Sequence, residues 1–170
     1  MLHAKPYIAT ILLAACAAVG IIALGPSVNA ATADRLEARL GDKIIPLKDV
    51  SRYFCHDRGY PTIECFTVAG DRDADASRES YGALSSSFVV FYADEAYRGL
   101  NYEAWNAIPD LGSIGWNDMV SSFKSVNAGR PRWFSDSGYG YPSWRWAAGA
   151  WVSNVGAAAN DKLSSVKNDP

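Results

Sequence analysis

The sequence has few of the side chains that zinc sites and acid–base relays require. It holds two histidines and three cysteines in 170 residues, whereas structural zinc sites usually take four Cys or His ligands. Beyond the first 30 residues the only histidine is His56, which stands between Cys55 and Asp57. A Ser-His-Asp relay would have to rest on this one residue. We therefore expect His56 to be a surface histidine and the protein not to be an enzyme.

Excess charge and helical periodicity are also scarce. The net charge is −2 with 20% charged residues, and without a basic excess nothing indicates nucleic acid as a partner. From residue 88 onward no helical period lasts more than two turns, and aromatic, glycine and β-branched residues alternate with turn signals. That pattern is typical of an all-β domain. A hydrophobic content of 49% is enough for a packed core.

The first 30 residues resemble an export signal. A lysine precedes an apolar run over residues 7–24, and Val28-Asn29-Ala30 follows it. We predict a signal peptide over residues 1–30 and a secreted or cell-envelope protein. Two alternatives remain open, namely a lipid on Cys16, which follows a lipobox-like Leu-Ala-Ala, and an uncleaved anchor at the lower length limit of a bilayer span.

Residues 31–69 are expected to form a small N-terminal module. The apolar spacing over residues 33–40 predicts two turns of amphipathic helix. Short apolar runs separated by turn residues then predict a β-hairpin with Cys55 facing Cys65. In an exported chain these two cysteines indicate a disulfide, and the alternative is a pair of free buried thiols.

Residues 70–87 are expected to form a solvated linker, because residues 70–80 carry six charges and no large apolar side chain. Asp71, Asp73 and Asp75 alternate like the start of a calcium-binding loop. The glycine and the terminal glutamate of such a loop do not follow at the required spacing.

The remaining segment repeats itself at a period of about 42 residues. Only two copies are present, and open repeat arrays need about three or more, so a domain closed on itself with a pseudo-twofold axis is expected. The recurring aromatic residues are Phe91, Tyr97 and Tyr102 in the first copy and Trp133, Tyr139 and Trp144 in the second.

Each copy also carries a polar turn about twenty residues after its aromatic hairpin. The turns read Asn-Asp-x-x-Ser-Ser and offer carboxylate, amide, hydroxyl and carbonyl oxygens, the hard ligands that calcium prefers. The alternative is a purely structural turn, in which these residues only form side-chain to backbone hydrogen bonds. The motif residues are Asn117, Asp118, Ser121 and Ser122 in the first copy and Asn160, Asp161, Ser164 and Ser165 in the second.

With these two motifs the chain resembles the microbial βγ-crystallins over residues 88–168, roughly half its length. The resemblance implies a double Greek key β-sandwich, with motifs over about 88–127 and 131–168, preceded by the disulfide-linked hairpin module. It also implies two calcium ions, each bound by both turns and a hairpin carbonyl. The first implied site comprises the carbonyl near Glu95, Asp118, the Met119 carbonyl and Ser164. The second comprises the carbonyl near Ser137, Asp161, the Lys162 carbonyl and Ser121.

The second copy departs from the family pattern at one position. The hairpin glycine, present as Gly99 in the first copy, is replaced by Tyr141, with Gly140 one place earlier. Arg98 and Lys162 add positive charge beside the implied sites, which weakens cation binding by an amount that water and salt largely screen.

The function implied is that of a secreted, non-enzymatic calcium-binding protein whose ions stabilise the domain. One alternative is a secreted metalloprotease inhibitor on the same fold, with residues 69–80 or 126–132 as its exposed loop. The other is a cell-wall or glycan-binding module, which depends on a platform of tryptophans. The six tryptophans are Trp105, Trp116, Trp133, Trp144, Trp146 and Trp151.

Overall fold

A computed structural model describes residues 35–78, 87–127 and 129–169. The predicted signal peptide (residues 1–30), with Cys16, lies outside these ranges. Residues 79–86 of the predicted linker also lie outside them. Among the described residues no helix is long and apolar enough to cross a membrane.

The described residues form eleven strands and one α-helix, which confirms the all-β expectation. In the N-terminal segment the elements are Glu37–Leu40 (β1), Lys43–Ile45 (β2), Phe54–His56 (β3), Thr62–Phe66 (β4) and the helix Ala69–Arg78 (α1). In the repeat they are Phe88–Asp94 (β5), Arg98–Ala104 (β6), Ser122–Val126 (β7), Arg130–Asp136 (β8), Gly140–Arg145 (β9), Trp151–Val152 (β10) and Ser165–Asp169 (β11).

The strands form two sheets. Each repeat copy also contributes a strand or a bridge to the sheet of the other copy. The large sheet has the order β10-β7-β5-β6-β3-β4-β1-β2, and the small sheet has the order β11-β8-β9. Strand β10 of the second copy pairs with β7 of the first. In return Ile108 of the first copy bridges Val166 in β11. This reciprocal exchange makes the pair of motifs a double Greek key, as expected.

Aromatic side chains from both copies meet in the core. Phe91 packs edge-on against Trp116 and Trp133, with ring centroids 4.9 and 5.6 Å apart, and it stacks on Tyr102 at 5.2 Å. Phe123 lies 5.6 Å from Trp133. All five side chains are fully buried. Alternation along the strands directs four of these side chains inward, and Trp116 reaches the core from the loop after the 3₁₀ turn Leu111–Ile114.

The N-terminal strands extend the large sheet of the Greek keys. Strand β3 pairs in parallel with β6, placing Cys55 opposite Tyr102. Strand β4 pairs antiparallel with β3, with Cys55 opposite Cys65, and these two cysteines form a disulfide. The predicted hairpin and disulfide are confirmed, and the sheet runs without a break from the N-terminal segment into the repeat.

The prediction of a helix over residues 33–40 is wrong for the described part of that range. Residues Glu37–Leu40 form β1, which pairs in parallel with β4 and antiparallel with β2. Leu36, Ala38 and Leu40 alternate with charged residues, so the apolar spacing fits a period of two as well as it fits a helix. The partners on both sides decide in favour of the strand.

The expectation of a solvated linker over residues 70–87 is also wrong for its first part, where α1 packs against β3 and β4. The helix is held by polar contacts. Arg72 is 7% exposed and its guanidinium donates to the side chain of Asn101 in β6. On the same helix Asp75 approaches His56, with Oδ2 3.1 Å from Nε2. His56 is 1% exposed, so it is not the surface histidine expected from the sequence.

A second buried polar contact joins the N-terminal segment to the first Greek key. Asp57 is 3% exposed, and its Oδ1 accepts a 2.6 Å hydrogen bond from the backbone N–H of Trp105. Next to it Arg58 forms an ion pair with Glu103 at 3.2 Å. Burial raises the pKa of Asp57 to about 6, although the Trp105 N–H acts in the opposite direction. The carboxyl group is therefore more easily kept neutral in the fold than in water.

Because both cysteines lie in the shared core, removing the disulfide should weaken the whole domain. The bond closes a loop of 10 positions, for which chain-entropy arguments give about 3 kcal/mol. We expect Cys55→Ala with Cys65→Ala to lower the free energy of unfolding by about that amount, in one transition. Urea unfolding followed by tryptophan fluorescence measures this, since every tryptophan lies in the repeat. An unchanged fluorescence midpoint would mean that the N-terminal strands unfold separately.

The raised pKa of Asp57 predicts a specific dependence of stability on pH. A raised folded-state pKa gives stability that is present below pH 4 and lost as the pH rises through about 6. The loss attributable to this group is at most about 3 kcal/mol. Asp57→Asn should remove it, so urea unfolding of the variant should change less between pH 4 and pH 7 than that of the wild type. Parallel pH profiles would show that Asp57 ionises in the fold as it does in water.

Candidate metal sites

Two hairpins with the same backbone shape stand at equivalent places in the two copies. In the first, Ala96 and Tyr97 have φ of 56° and 61° within the 3₁₀ turn Glu95–Tyr97. In the second, Gly138 and Tyr139 have φ of 68° and 66° within Ser137–Tyr139. Left-handed backbone at consecutive residues tightens each turn and is uncommon for residues other than glycine. The two hairpins therefore keep one geometry despite their different sequences.

The displaced glycine of the second copy preserves the space that this geometry needs. A Cβ on Gly99 would lie 2.5 Å from the carboxylate of Asp94 in the first hairpin. A Cβ on Gly140 would lie 2.6 Å from Cβ of Asp136, the equivalent aspartate. Each hairpin thus uses a glycine to let its aspartate fold back, and Tyr141 does not disturb the second turn.

The second serine of each Ser-Ser pair ties its polar turn to the hairpin of its own copy. Ser122 Oγ donates to the Asp94 carbonyl at 2.6 Å and accepts from the Tyr97 N–H at 3.1 Å. Ser165 Oγ makes the same two bonds, to the Asp136 carbonyl at 2.7 Å and from the Tyr139 N–H at 3.1 Å. These hydroxyls are fully committed to the fold.

The first serine of each pair is buried but is not committed in this way. Ser121 and Ser164 are each 8% exposed. Neither hydroxyl has a hydrogen-bond partner within residues 35–78, 87–127 and 129–169. Neither oxygen is among the buried polar atoms without a partner in the described residues, so both hydroxyls reach solvent and are available to a ligand.

The aspartates of the turns are exposed and held in a left-handed conformation. Asp118 has φ of 57° and Asp161 has φ of 55°. In each turn the preceding asparagine donates to Oδ2 of the aspartate, at 2.6 Å from Asn117 and 2.9 Å from Asn160. The other carboxylate oxygen of each aspartate has no hydrogen-bond partner among the described residues.

Hydrogen bonds between the copies bring each turn to the opposite copy. The Asp118 N–H donates to the Leu163 carbonyl at 3.2 Å, next to Ser164. The hairpins cross over as well, since the Ala96 N–H donates to the Ser153 carbonyl at 2.8 Å and the Gly138 N–H donates to the Pro109 carbonyl at 2.6 Å. These reciprocal bonds show the pseudo-twofold relation directly.

One open cleft of about 430 Å³ collects predicted ligands from both copies. Asp118 and Ser164, expected from the resemblance to share an ion, line it together. Asp161 and Lys162 line it too, and the Lys162 ammonium group lies 3.4 Å from the Ala157 carbonyl. Trp144, one of the recurring aromatic residues, also lines the cleft. Sequence inspection missed the other lining residues, which carry no motif of their own. These are Ser135, Pro142 and Ala158.

The contacts of the uncommitted serines show which hairpin each one adjoins. The Ser164 N–H donates to the Phe134 carbonyl at 2.9 Å, at the base of the second hairpin. The Ser121 N–H donates to the Tyr92 carbonyl at 3.0 Å, at the base of the first. The hairpin carbonyl near Ser164 therefore belongs to residues Ser137–Tyr139. The resemblance had assigned the one near Glu95 to that position.

A metal ion at these turns would have to depend mainly on neutral oxygen donors. No cluster of three or more His, Cys, Asp or Glu side chains suitable for a metal occurs in the part of the chain that the structure describes. Backbone carbonyls and hydroxyls would have to supply most ligands, and calcium accepts such donors readily. The Glu95 carbonyl accepts from Arg98 Nε at 3.2 Å and has a second lone pair left.

The structure also shows where the residues behind the two alternative functions lie. Trp116 and Trp133 are fully buried, and of the six tryptophans only Trp151 is largely exposed, at 66%. No platform of tryptophans is formed. The proposed inhibitor loops are the helix α1 over most of residues 69–80 and, over residues 126–132, a turn between two strands in which the Gly129 N–H donates to Val126.

Comparison with known proteins identifies the family. No family model matches the chain. A beta/gamma-crystallin of Ciona intestinalis is 32% identical over 80 residues, which make up 46% of this chain and 94% of that protein. A solved structure of beta gamma crystallin from Ciona intestinalis is 31% identical, covering 48% of this chain and 99% of that one, with a TM-score of 0.44. A betagamma-crystallin domain from Clostridium beijerinckii is 25% identical, covering 47% and 94%, with a TM-score of 0.43. With nearly the whole length of the first relative matched at this identity, the chain belongs to the βγ-crystallin family.

Proposed function

We propose that this protein binds two calcium ions in its double Greek key domain and has a structural or binding role without catalysis. The observation that carries the proposal is the different use of the two serines in each turn. Ser122 and Ser165 hold the hairpins, while Ser121 and Ser164 are buried with hydroxyls that have no partner among the described residues. Ser164 and Asp118 line the same cleft.

The contacts favour one pairing of turns and hairpins. We assign the first ion to the Asp118 carboxylate, the Met119 carbonyl and the Ser164 hydroxyl, completed by the carbonyl of Ser137. The bond from Ser164 to Phe134 supports this choice of hairpin. By the pseudo-twofold relation the second ion takes the Asp161 carboxylate, the Lys162 carbonyl, the Ser121 hydroxyl and the carbonyl of Glu95.

Each assigned site offers four protein oxygens with one formal negative charge. Calcium takes six to eight oxygen ligands in proteins, so water completes each shell. Few charged ligands, together with the nearby cations Arg98 and Lys162, predict weak sites in the extracellular range of about 10⁻⁴ M. At 1 mM calcium such a site stabilises the folded state by roughly 1.4 kcal/mol.

The setting of the domain agrees with a role outside the cytoplasm. The Cys55–Cys65 disulfide is the kind of bond that persists in oxidising compartments. We infer that the protein is exported and that calcium, abundant there, fastens each hairpin to the polar turn of the opposite copy. A protein or glycan partner would then meet a stiffened domain.

Two double variants with the same kinds of change test the pairing. Asp118→Ala with Ser164→Ala removes two ligands from one ion, so calorimetric titration should find one calcium per chain where the wild type binds two. Asp118→Ala with Ser121→Ala removes one ligand from each ion and should leave no site of wild-type affinity. Calcium should still raise the melting temperature of the first variant and have little effect on that of the second.

Circular dichroism without calcium provides the control, because both variants keep Ser122 and Ser165 and should fold alike. One intact site in Asp118→Ala with Ser121→Ala would mean that each turn binds its ion alone. Superimposable wild-type melting curves in millimolar calcium and in excess chelator would refute calcium binding altogether.

A further inference from the structure

The outer face of the small sheet carries a row of three positive charges. Lys167 in β11 stands opposite Arg132 in β8, which stands opposite Arg145 in β9. Like charges placed directly across strands destabilise a sheet, and the chain as a whole is slightly acidic. The stability of the sheet therefore does not explain why these three positions carry cations.

The first Greek key provides an internal comparison at the same register. Its corresponding row is Lys124, Val90 and Glu103. Val90 and Glu103 are buried, and Glu103 is paired with Arg58 of the N-terminal segment. One copy thus uses this face to receive the N-terminal segment. The other copy keeps cations there, on a surface where Tyr141 is 70% exposed.

Arg132 is held in place by neutral groups. Its Nε and Nη2 donate to Ser143 Oγ at 3.3 and 3.1 Å, and Nη2 donates to the Tyr141 hydroxyl at 3.0 Å. In the described ranges no carboxylate lies within salt-bridge distance of Arg132 or Lys167. The Nη1 group of Arg132 has no hydrogen bond to any described residue. A fixed guanidinium with a free Nη1 group can donate a charge-assisted hydrogen bond to an anion.

Aromatic rings fix the two cations further. The Arg132 guanidinium lies 5.1 Å from the ring of Phe134 and 5.4 Å from that of Tyr141. The Lys167 ammonium lies 3.9 Å from the ring of Tyr139. These contacts lower the entropy that the side chains would lose on binding. They also leave the exposed ring of Tyr141 beside the row, where a sugar ring can stack.

We propose that the outer face of β11, β8 and β9 binds a linear acidic polysaccharide through its sulfate or carboxylate groups. Two strand spacings separate the ends of the row, about 10 Å, which suits a single polymer chain crossing the sheet. A single-stranded nucleic acid would need several stacking rings in succession, and Tyr141 is the one largely exposed aromatic ring on this face of the described sheet. The proposal does not depend on calcium.

The test uses the purified full chain with four probes, each titrated at low salt in chelator and again in millimolar calcium. The probes are dextran sulfate, polygalacturonate, neutral dextran and oligodeoxythymidylate. We expect at least one of the two acidic polysaccharides to bind in both conditions, with the preferred one distinguishing sulfate from carboxylate, and neutral dextran not to bind. Arg132→Gln should weaken this binding about tenfold, the effect of losing a charge-assisted hydrogen bond.

Lys124→Gln is the matched control, because Lys124 occupies the position equivalent to Lys167 and its ammonium also lies over a tyrosine, 4.6 Å from Tyr97. It should bind the polymers as the wild type does, whereas Lys167→Gln should bind severalfold more weakly. Arg132→Gln should keep the wild-type circular dichroism spectrum, because the loss of its contacts with Ser143 and Tyr141 is offset by relief of repulsion in the row. Equal losses for Lys124→Gln and Lys167→Gln, no binding of either acidic polysaccharide, or tighter binding of oligodeoxythymidylate would each overturn the proposal.

Discussion

Neither Greek key completes its own hydrogen bonds, and the rest of the structure depends on this reciprocity. The hairpin of each copy donates to a loop of the other, through Ala96 to Ser153 and through Gly138 to Pro109. The strand β10 and residue Ile108 are exchanged in the same way. A single copy would leave these backbone groups to water and would expose its half of the aromatic core, in which Phe91 of one copy packs against Trp133 of the other. Each copy therefore needs the other to complete its core, and residues from both polar turns line one cleft.

The outer faces of the two sheets differ in the side chains that they carry and in what these side chains contact. The large sheet is extended past β6 by β3 and β4, and α1 packs against these two strands. Polar pairs join the N-terminal segment internally and to the first copy, His56 with Asp75 and Arg58 with Glu103. The disulfide joins β3 and β4 within the buried core. On the small sheet the equivalent positions carry cations. The two copies therefore share one backbone frame and differ in the side chains on their outer faces.

Much of the repeat could be predicted from the sequence, because aromatic pairs, glycines and Asn-Asp-x-x-Ser-Ser turns recur at a fixed offset and each has a local physical role. The elements that were mistaken depend on partners far away in the chain. Residues 37–40 fit two periodicities, and only pairing with β4 makes them a strand. The helix α1 has no apolar face to reveal it, since it is held by Arg72 and Asp75 through polar contacts. Spacing likewise could not show which hairpin adjoins Ser164, because that is set by the exchange between the copies.

The most direct test of the interlocked arrangement is a calcium titration of the Asp161→Ala variant followed by amide NMR, since one site should remain. The remaining ion is the one assigned to Asp118. Calcium should shift the amide signals of Ser164 and Gly138, in the copy opposite to Asp118, and should leave the signal of Ala96 in place. A shift of Ala96 and Ser121 with no change at Ser164 and Gly138 would contradict it, because the ion would then lie wholly within the copy that supplies Asp118.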